Sequence, residues 1–315
     1  MPSQPLPTTP SPPERLLPKA LDAIAQVVLG KERQIRLALC CLLARGHLLI
    51  EDLPGVGKTT LAHVLARVLG LDFKRIQFTS DLLPADIVGV SIYQTQTQRF
   101  HFHQGPVFTQ LVLADEINRA TPKAQSALLE AMEERQVTSD GVTLKLPEPF
   151  FVIATQNPHH LIGTFPLPES QLDRFLMRIE LGYPDRDAER ALLKGRDRSE
   201  MLADIPCVID AAALTLLQQQ AARVHAADAL LDYAQQLIAA TRASPAFAVG
   251  LSPRGGLALL RAARAWALLG ARDMVLPEDV QAVAESVIAH RVRPAPDGGP
   301  ARAAVAALVK ATPVP

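Results

Sequence analysis

The fold of this chain is decided by residues 49–60, which read LIEDLPGVGKTT. The continuously apolar residues 48–50 are typical of a short strand in a parallel sheet that helices cover on both faces. From Lys58 onward, apolar residues recur at intervals of three and four, which places one apolar stripe on a helix. A strand, a glycine-bearing loop and an amphipathic helix therefore follow one another in the order that a phosphate-binding loop requires.

The loop between this strand and this helix carries the residues that we expect to hold a triphosphate: Pro54, Gly55, Val56, Gly57, Lys58, Thr59 and Thr60. Gly55 and Gly57 let backbone N–H groups turn toward phosphate oxygens, and the N-terminus of the helix adds a favourable dipole. Lys58 would reach the β- and γ-phosphates of ATP, and the Thr59 hydroxyl would bind magnesium. The general pattern GxxxxGK[ST] has glycine where this chain has Asp52. The alternative interpretation is a glycine turn that caps a core helix, which the strand–loop–helix setting disfavours.

A second apolar strand, residues 111–114, leads directly into two carboxylates, Asp115 and Glu116. Ligands of open α/β sheets bind at the C-terminal ends of the strands. Asp115 is therefore placed to hold the water shell of magnesium, and Glu116 to act as general base or to position the water that attacks the γ-phosphate. Two adjacent acids at a strand end could merely be solvated, but the phosphate loop upstream favours the catalytic interpretation.

The chain divides into two regions of different pattern. Strands alternate with helices over residues 45–184, which predicts an open and mostly parallel sheet in an α/β domain at residues 15–184. Helical patterns alone follow, which predicts a small all-helical domain at residues 185–292. Residues 1–14 are rich in Pro, Ser and Thr and predict a disordered tail, and residues 293–315 predict a Pro/Ala/Gly-rich tail.

Composition limits the class of protein. The 32 basic residues balance the 32 acidic ones, whereas a general nucleic-acid binder usually shows a basic excess. Cys40 and Cys41 are adjacent in an apolar run and Cys207 stands alone, so neither a disulfide framework nor a CxxC metal site can be built. No apolar stretch reaches the ~18 residues that span a bilayer, and the N-terminus lacks the features of a signal peptide. We therefore expect a cytoplasmic protein.

Five stretches of the sequence resemble the MoxR family of AAA+ ATPases: EDLPGVGKTTLA (51–62), ADEINRA (114–120), QSALLEAMEE (125–134), VIATQNP (152–158) and PLPESQLDRFLM (166–177). The resemblance covers roughly residues 20–292, and the motifs together are highly specific. It implies a P-loop AAA+ domain with a parallel sheet between helices and a small all-α lid domain. Asp52 is not a departure from this family, which tolerates other residues at that position.

The resemblance assigns roles to further polar residues. Asn157 would be the sensor residue that orients the attacking water or contacts the γ-phosphate; otherwise it is an Asn-Pro turn residue. Arg174 matches the arginine finger, which a neighbouring subunit delivers, so catalysis would need an assembled ring. Its alternative is a surface arginine paired with Asp173 or Asp185. Arg254 matches the second sensor and would couple nucleotide state to the position of the lid.

Two further parts of the chain resemble known parts of these ATPases. Val28 and Gly30 resemble the segment that forms the wall of the adenine pocket. Residues 81–105 and the hairpin at Asp140-Gly141, which an Asp-Gly pair between alternating residues also predicts, resemble the two insertions of this branch. In related motors such insertions touch the substrate or partner. Arg119 and Arg178 are weaker candidates for contacts between subunits, and the run Glu133-Glu134-Arg135 is more simply a solvated helix end.

The resemblance implies an ATP-hydrolysing motor that uses magnesium and works as a hexameric ring. The family is linked to chaperone-like remodelling, assembly or metal-cofactor insertion in a client complex, often with a partner that carries a von Willebrand factor A domain. One alternative is a motor that depends on nucleic acid, which the neutral charge disfavours. Another is a nucleotide-dependent scaffold with little hydrolysis, which the presence of Glu116, Asn157 and Arg174 disfavours. A small-molecule kinase would have no need of an arginine from a neighbouring subunit.

Overall fold

The computed structural model describes residues 15–157, 163–195 and 198–314, with the backbone alone at residues 198–199. The predicted tail at residues 1–14 lies outside the described residues. The strands in this part of the chain are β1 (Leu48–Glu51), β2 (Phe73–Gln77), β3 (Gly89–Gln94), β4 (Arg99–Gln104), β5 (Leu111–Asp115), β6 (Gln136–Ser139), β7 (Val142–Lys145), β8 (Phe151–Gln156), β9 (Met177–Ile179), β10 (Phe247–Val249) and β11 (Arg293–Pro294). The helices are α1 (Leu16–Ala25), α2 (Glu32–Leu43), α3 (Lys58–Val68), α4 (Pro84–Val88), α5 (Pro122–Glu134), α6 (Glu169–Leu172), α7 (Arg186–Lys194), α8 (Arg198–Asp204), α9 (Ala211–Arg223), α10 (Asp228–Ala243), α11 (Pro253–Leu269), α12 (Pro277–Ile288) and α13 (Ala301–Ala311).

The centre of the molecule is a five-stranded sheet in the spatial order β2-β5-β8-β1-β9. All neighbouring strands pair in parallel, with Ile50 of β1 opposite Thr155 of β8 and Leu113 of β5 opposite Ile153 of β8. The C-terminal ends of β1, β5 and β8 therefore meet at one edge of the sheet. The predicted α/β fold with an open parallel sheet is confirmed.

Both faces of the central strands are buried. Leu48 and Ile50 of β1 belong to one hydrophobic cluster, which includes α1, α2 and α3, whereas Leu49 belongs to a second cluster on the other face, with α5. Because side chains alternate between the faces of a strand, each central strand needs apolar residues at every position. This burial on both sides explains the uninterrupted apolar runs of β1, β5 and β8.

The two edge strands are not predicted from the sequence. In β2, Ile76 is buried, while Lys74, Arg75 and Gln77 are exposed. At the other edge, β9 has three residues. An edge strand has fewer neighbours to bury it, and so neither segment shows the apolar run by which the central strands are recognised.

Helices dominate the chain after residue 185, as predicted. These helices pack on α2: the Cys40 thiol donates to the Ala262 carbonyl at 3.3 Å, and the Gln218 amide donates to the Leu42 carbonyl at 2.9 Å. One buried cluster continues from the sheet through α2 into α9, α11 and α12. The predicted domain boundary at residue 184 thus lies within one continuous hydrophobic core.

The segment after residue 292, predicted as a tail, is structured. β11 pairs antiparallel with β10, which also adds a small strand pair to a region expected to be wholly helical. Helix α13 buries Val305, and Arg302 pairs with Glu180 at 2.6 Å and with Glu285. Alanine, valine and leucine at helical spacing supply an apolar face that the composition of the segment concealed.

Two hairpins project from the α/β domain. β3 and β4 pair antiparallel after α4, within the predicted insertion at residues 81–105. β6 and β7 are joined at Asp140 and Gly141, whose φ angles of +50° and +77° suit the two-residue turn that an Asp-Gly pair favours. The hairpin predicted at Asp140-Gly141 is therefore confirmed. Among the described residues, no helix is both long and apolar enough to span a membrane.

A histidine is buried at the start of β1. The Val152 backbone N–H donates to Nδ1 of His47 at 3.0 Å, and Nε2 of His47 lies 3.3 Å from the Met132 carbonyl. Nδ1 therefore accepts and Nε2 carries the proton of a neutral ring. Burial in the first place, together with the nearby charge of Arg135, lowers the pKa of His47 to about 3.

Candidate nucleotide-binding site

The phosphate loop connects β1 to α3 and has a backbone that only glycine adopts easily. Gly55 and Gly57 have φ angles of +85° and +96°. A Cβ atom built at either position would meet no atom within 4 Å, so the requirement for glycine comes from the backbone and not from crowding. The open space beside both residues is a cradle of the kind that phosphate oxygens need.

Lys58 begins α3, and its side chain points into this loop. Its Nζ donates to the Asp52 carbonyl at 2.6 Å and to Asn157 Oδ1 at 2.9 Å. Burial lowers the pKa of Lys58, while the charges of Asp52, Asp115 and Glu116 oppose that shift. The ammonium group thus lies among acids at the C-terminal edge of the sheet, where it can reach a bound anion.

Asp115 ends β5 with its carboxylate held from two sides. Thr155 Oγ1 donates to Asp115 Oδ1 at 2.6 Å, and Arg75 Nη2 donates to Asp115 Oδ2 at 2.5 Å. Neither Thr155 nor Arg75 is predicted from the sequence as a site residue. Thr155 could have been found, because it precedes Gln156-Asn157 at the end of a predicted strand, whereas Arg75 lies on the unpredicted edge strand.

Glu116 follows Asp115 in the left-handed region, with a φ angle of +55°. Its carboxylate accepts from Asn157 Nδ2 at 3.0 Å, from Arg119 Nη1 at 2.8 Å and from Gln77 Nε2 at 3.1 Å. Its backbone N–H donates to Thr155 Oγ1 at 2.8 Å. These contacts fix the carboxylate at the mouth of the cleft. Arg119, a weaker candidate for a subunit contact, pairs with Glu116 within the chain.

These groups line one cleft of about 300 Å³, formed by Pro54, Gly55, Gly57, Lys58, Thr59, Thr60, Asp115, Glu116 and Asn157. The structure thus brings together the phosphate loop, the two acids and the predicted sensor residue. The cleft also offers hard oxygen donors, the Thr59 hydroxyl and the Asp115 carboxylate, which are the ligand type that magnesium prefers. Together with the glycine cradle, this donor set fits a magnesium-bound triphosphate.

A more apolar cleft of about 230 Å³ adjoins the first and shares Gly55, Gly57 and Thr60 with it. Its other lining residues are Val27, Val28, Leu29, Lys31, Val56, Pro184 and Leu192. Val28, for which the resemblance predicts a place in the wall of the adenine pocket, therefore lines an apolar space directly beside the phosphate loop, together with Val56.

Gly30 has a structural place beside this cleft without lining it. Its φ angle is +65°, and an added Cβ would lie 2.9 Å from Ala188 Cβ. The glycine thus permits α7 to approach the turn between α1 and α2.

Arg174 and Arg254 lie away from this cleft. Arg174 precedes β9, whose Met177 pairs with Leu48 at the start of β1, so it lies toward the N-terminal edge of the sheet. Its Nη1 donates to the Leu129 carbonyl at 2.8 Å and is 3.8 Å from Glu133 Oε2.

Arg254 occupies the same patch. Its Nη2 donates to both carboxylate oxygens of Glu133, at 2.8 and 2.7 Å, and its Nε is 3.5 Å from Asp173 Oδ2. Hydrogen bonding to Glu133 raises the pKa of Arg254. Glu133, interpreted from the sequence as part of a solvated helix end, is exposed but holds this arginine. The structure therefore groups the two predicted arginines with each other and not with Lys58. Arg178, the other candidate for a subunit contact, pairs with Glu51 at 3.0 Å.

Two family profiles match the chain. That of the ATPase family associated with various cellular activities (AAA) matches residues 47–177, and that of the AAA lid domain matches residues 239–308. The first match contains the phosphate loop and both acids, and the second lies in the helical region. Fold and cleft together thus define a AAA+ ATPase with its lid.

Proteins that are similar over almost the whole chain show which family of AAA+ ATPases it belongs to. The uncharacterised protein YeaC of Bacillus subtilis is 47% identical, over 95% of both chains. Chaperone MoxR1 of Mycobacterium tuberculosis is 41% identical, over 88% of this chain and 75% of its own. A crystal structure of a candidate ATPase from Cytophaga hutchinsonii is 35% identical and superposes with a TM-score of 0.88 over 96% of both chains. The chain belongs to the MoxR family of AAA+ ATPases.

Proposed function

We propose that this protein binds ATP with magnesium, hydrolyses it, and uses the energy to remodel a client protein complex. The observation that carries the proposal is the convergence of Lys58, Asp115, Glu116 and Asn157 on one cleft beside the glycine cradle. These residues come from three separate strand ends, β1, β5 and β8, and the sheet alone brings them together.

Each residue of the cleft has a part in binding. The Lys58 ammonium would contact the β- and γ-phosphates in place of its present oxygen partners, and the loop N–H groups would surround the β-phosphate. Thr59 would bind magnesium directly. Because both oxygens of Asp115 already accept bonds from protein donors, we expect Asp115 to hold metal-bound water. When bound, magnesium neutralises charge on the β- and γ-phosphates.

Hydrolysis needs a water molecule aligned with the γ-phosphate. Glu116 would accept a proton from this water as the new P–O bond forms and the bond to the bridging β–γ oxygen breaks. Asn157 donates to Glu116 and accepts from Lys58, so it connects the base to the phosphate-binding ammonium. Gln77 and Arg119 hold the other carboxylate oxygen and set the direction of the base.

Arg174 and Arg254 would complete the site of a neighbouring subunit. Both lie on a patch distant from the phosphate loop of their own chain, and both carry a guanidinium that can meet transition-state charge. An interface of this head-to-tail kind closes into a ring, for which we propose six subunits. Arg254 is the second residue of the lid helix α11, so contact with the neighbour's nucleotide would couple the state of that nucleotide to the lid.

The proposal that the protein acts on a client rests on its similarity to known proteins and on an exposed hairpin. One relative is named a chaperone, which supports a chaperone-like action on a client complex. The proposals that this action is assembly or metal-cofactor insertion, and that a partner bears a von Willebrand factor A domain, rest on the resemblance to the family. In the β3–β4 hairpin, the residues Tyr93 and Phe100 are 49% and 71% exposed. We place contact with the client there. Residence in the cytoplasm remains a prediction.

The test is ATP hydrolysis by the purified protein, measured as phosphate release at increasing protein concentration. We expect turnover per subunit to rise with concentration as rings assemble, and Glu116→Gln to lower turnover by about 100-fold or more while still binding ATP. Glu130→Gln, the same change at an exposed position of α5, is the matched control and should leave turnover unchanged. Absence of magnesium-dependent ATP binding in folded wild type would refute the proposal.

A further inference from the structure

Asp52 replaces the first glycine of the general phosphate-loop pattern, and its carboxylate is directed away from the cleft. Oδ2 accepts the backbone N–H groups of Leu181 at 2.7 Å and Gly182 at 2.6 Å, and Oδ1 accepts that of Leu53 at 2.7 Å. Asp52 lines neither the phosphate cleft nor the apolar cleft beside it. Its contacts therefore join the phosphate loop to the chain that leaves β9.

The chain after β9 forms one wall of the apolar cleft. Pro184 lines that cleft, two residues beyond Gly182. Lys31, which also lines the cleft, donates from Nζ to the Tyr183 carbonyl at 2.7 Å. The segment 181–184 is thus fastened at one end by Asp52 and at the other by Lys31. Of these two sets of hydrogen bonds, only those to Asp52 connect the segment to the loop that would hold the triphosphate.

The hydrogen bonds of Asp52 are of a strong kind. Each joins an ionised carboxylate to a backbone N–H, and bonds with a charged partner are shorter and about twice as strong as neutral ones. One carboxylate oxygen accepts the successive N–H groups of Leu181 and Gly182, and Gly182 has a φ angle of +66°, which glycine adopts readily. Glycine at position 52 would leave both N–H groups without this acceptor.

We propose that Asp52 is a positioning residue that holds the adenine half of the nucleotide cleft in register with the phosphate half. Asp52 would thus contribute to binding of the adenine base and would not contribute to binding of the triphosphate. This inference rests on the proposed function, because it takes the two adjoining clefts as one ATP site. Its specific consequence is that loss of the Asp52 carboxylate weakens the binding of ATP but not the binding of a triphosphate that lacks a base.

The experiment compares the binding of magnesium-ATP with that of magnesium-tripolyphosphate by titration calorimetry. For Asp52→Ala we expect the Kd for ATP to rise about tenfold or more, and the Kd for tripolyphosphate to stay within about twofold or to fall, since a negative charge near the phosphates is removed. Asp52→Asn makes the same change of charge but keeps an acceptor oxygen. Its Kd for ATP should lie between the wild-type and alanine values.

Two further variants control the comparison. Asp210→Ala removes a carboxylate that also accepts a backbone N–H, that of Ala213 at 2.7 Å, at the start of α9, and should change neither affinity. Asp52→Gly restores the residue of the general pattern, and it replaces Asp52→Ala in the comparison if circular dichroism shows that the alanine variant does not fold.

Selective loss of ATP affinity in Asp52→Ala, or in Asp52→Gly where that variant replaces it, supports the inference. Equal loss of both ligands would overturn it, because Asp52 would then only maintain the loop, and unchanged affinity for ATP would overturn it as well. If wild type binds neither ligand, the proposed function itself fails and this inference falls with it. These outcomes are distinguishable, because wild-type binding is measured first.

Discussion

The position of Arg174 predicts that two inactive variants restore activity when mixed. Met177 pairs with Leu48, and the three residue steps from there to the end of β1 cover roughly 10 Å. Arg174 precedes this pairing by three more residues, and its guanidinium points toward Leu129 and Glu133. An arginine side chain reaches roughly 7 Å from its Cα atom. It therefore cannot reach the phosphate loop of its own chain.

The perturbation is an equal mixture of Arg174→Ala and Glu116→Gln subunits. Alone, Arg174→Ala should lose about 1000-fold in turnover, the lower end for loss of an arginine finger, and Glu116→Gln should also be nearly inactive. In mixed rings, half of the subunits keep Glu116, and half of those face a neighbour that keeps Arg174. The mixture should therefore recover about one quarter of wild-type turnover.

The assay is phosphate release at a fixed total concentration after the two variants have been allowed to exchange subunits. Arg174→Ala mixed with the double variant Glu116→Gln/Arg174→Ala is the control, because no site in it can be complete. If an affinity tag on one variant co-purifies the other in rings and turnover stays at the sum of the separate variants, delivery from a neighbour is refuted. High turnover of Arg174→Ala alone would refute it as well.

Two predictions concern stability, both measured by urea unfolding. The pKa of His47 is depressed in the fold from its ordinary 6.5 to about 3, so its contribution is complete above pH 6.5 and is lost as pH falls toward 3. At pH 5 His47 should therefore lower the free energy of unfolding by about 2 kcal/mol relative to neutral pH. In His47→Gln, the fall in the free energy of unfolding between neutral pH and pH 5 should be smaller by that amount. An unchanged fall would contradict the assignment of this pH dependence to His47. Asp279, fully buried, accepts from Arg272 Nη1 at 2.7 Å and from the Leu276 N–H at 2.8 Å. Asp279→Ala should lower the free energy of unfolding by about 2 kcal/mol, which is less than for a fully buried ion pair because Arg272 is partly exposed. Glu169→Gln, the control, removes a carboxylate from the exposed pair with Arg293 and should cause no measurable loss.

Much of the α/β domain is predictable because its signals are local. The apolar runs of β1, β5 and β8 follow from burial on both faces, and the Asp140-Gly141 hairpin follows from turn chemistry. The edge strands β2 and β9 are missed because exposure at the sheet edge removes that pattern. Helix α13 is missed because its Ala-rich composition hides an apolar face that only its contact with the rest of the helical region makes visible.

The sequence by itself determined the chemistry of the phosphate cleft. A glycine turn, a lysine and two acids at strand ends specify a phosphate-binding edge, because parallel strands carry their C-terminal ends to one side of the sheet. On that ground alone, Lys58, Asp115 and Glu116 belong together.

Only the tertiary structure decided which distant groups meet. The partners Arg75 of Asp115 and Gln77 of Glu116 lie on a strand without a sequence signal, and Asp52 holds a segment about 130 residues further along the chain. Arg174 and Arg254 meet at Glu133 because β9, α11 and α5 converge there. Such contacts depend on how elements pack in space, and neither local propensity nor periodicity carries that information.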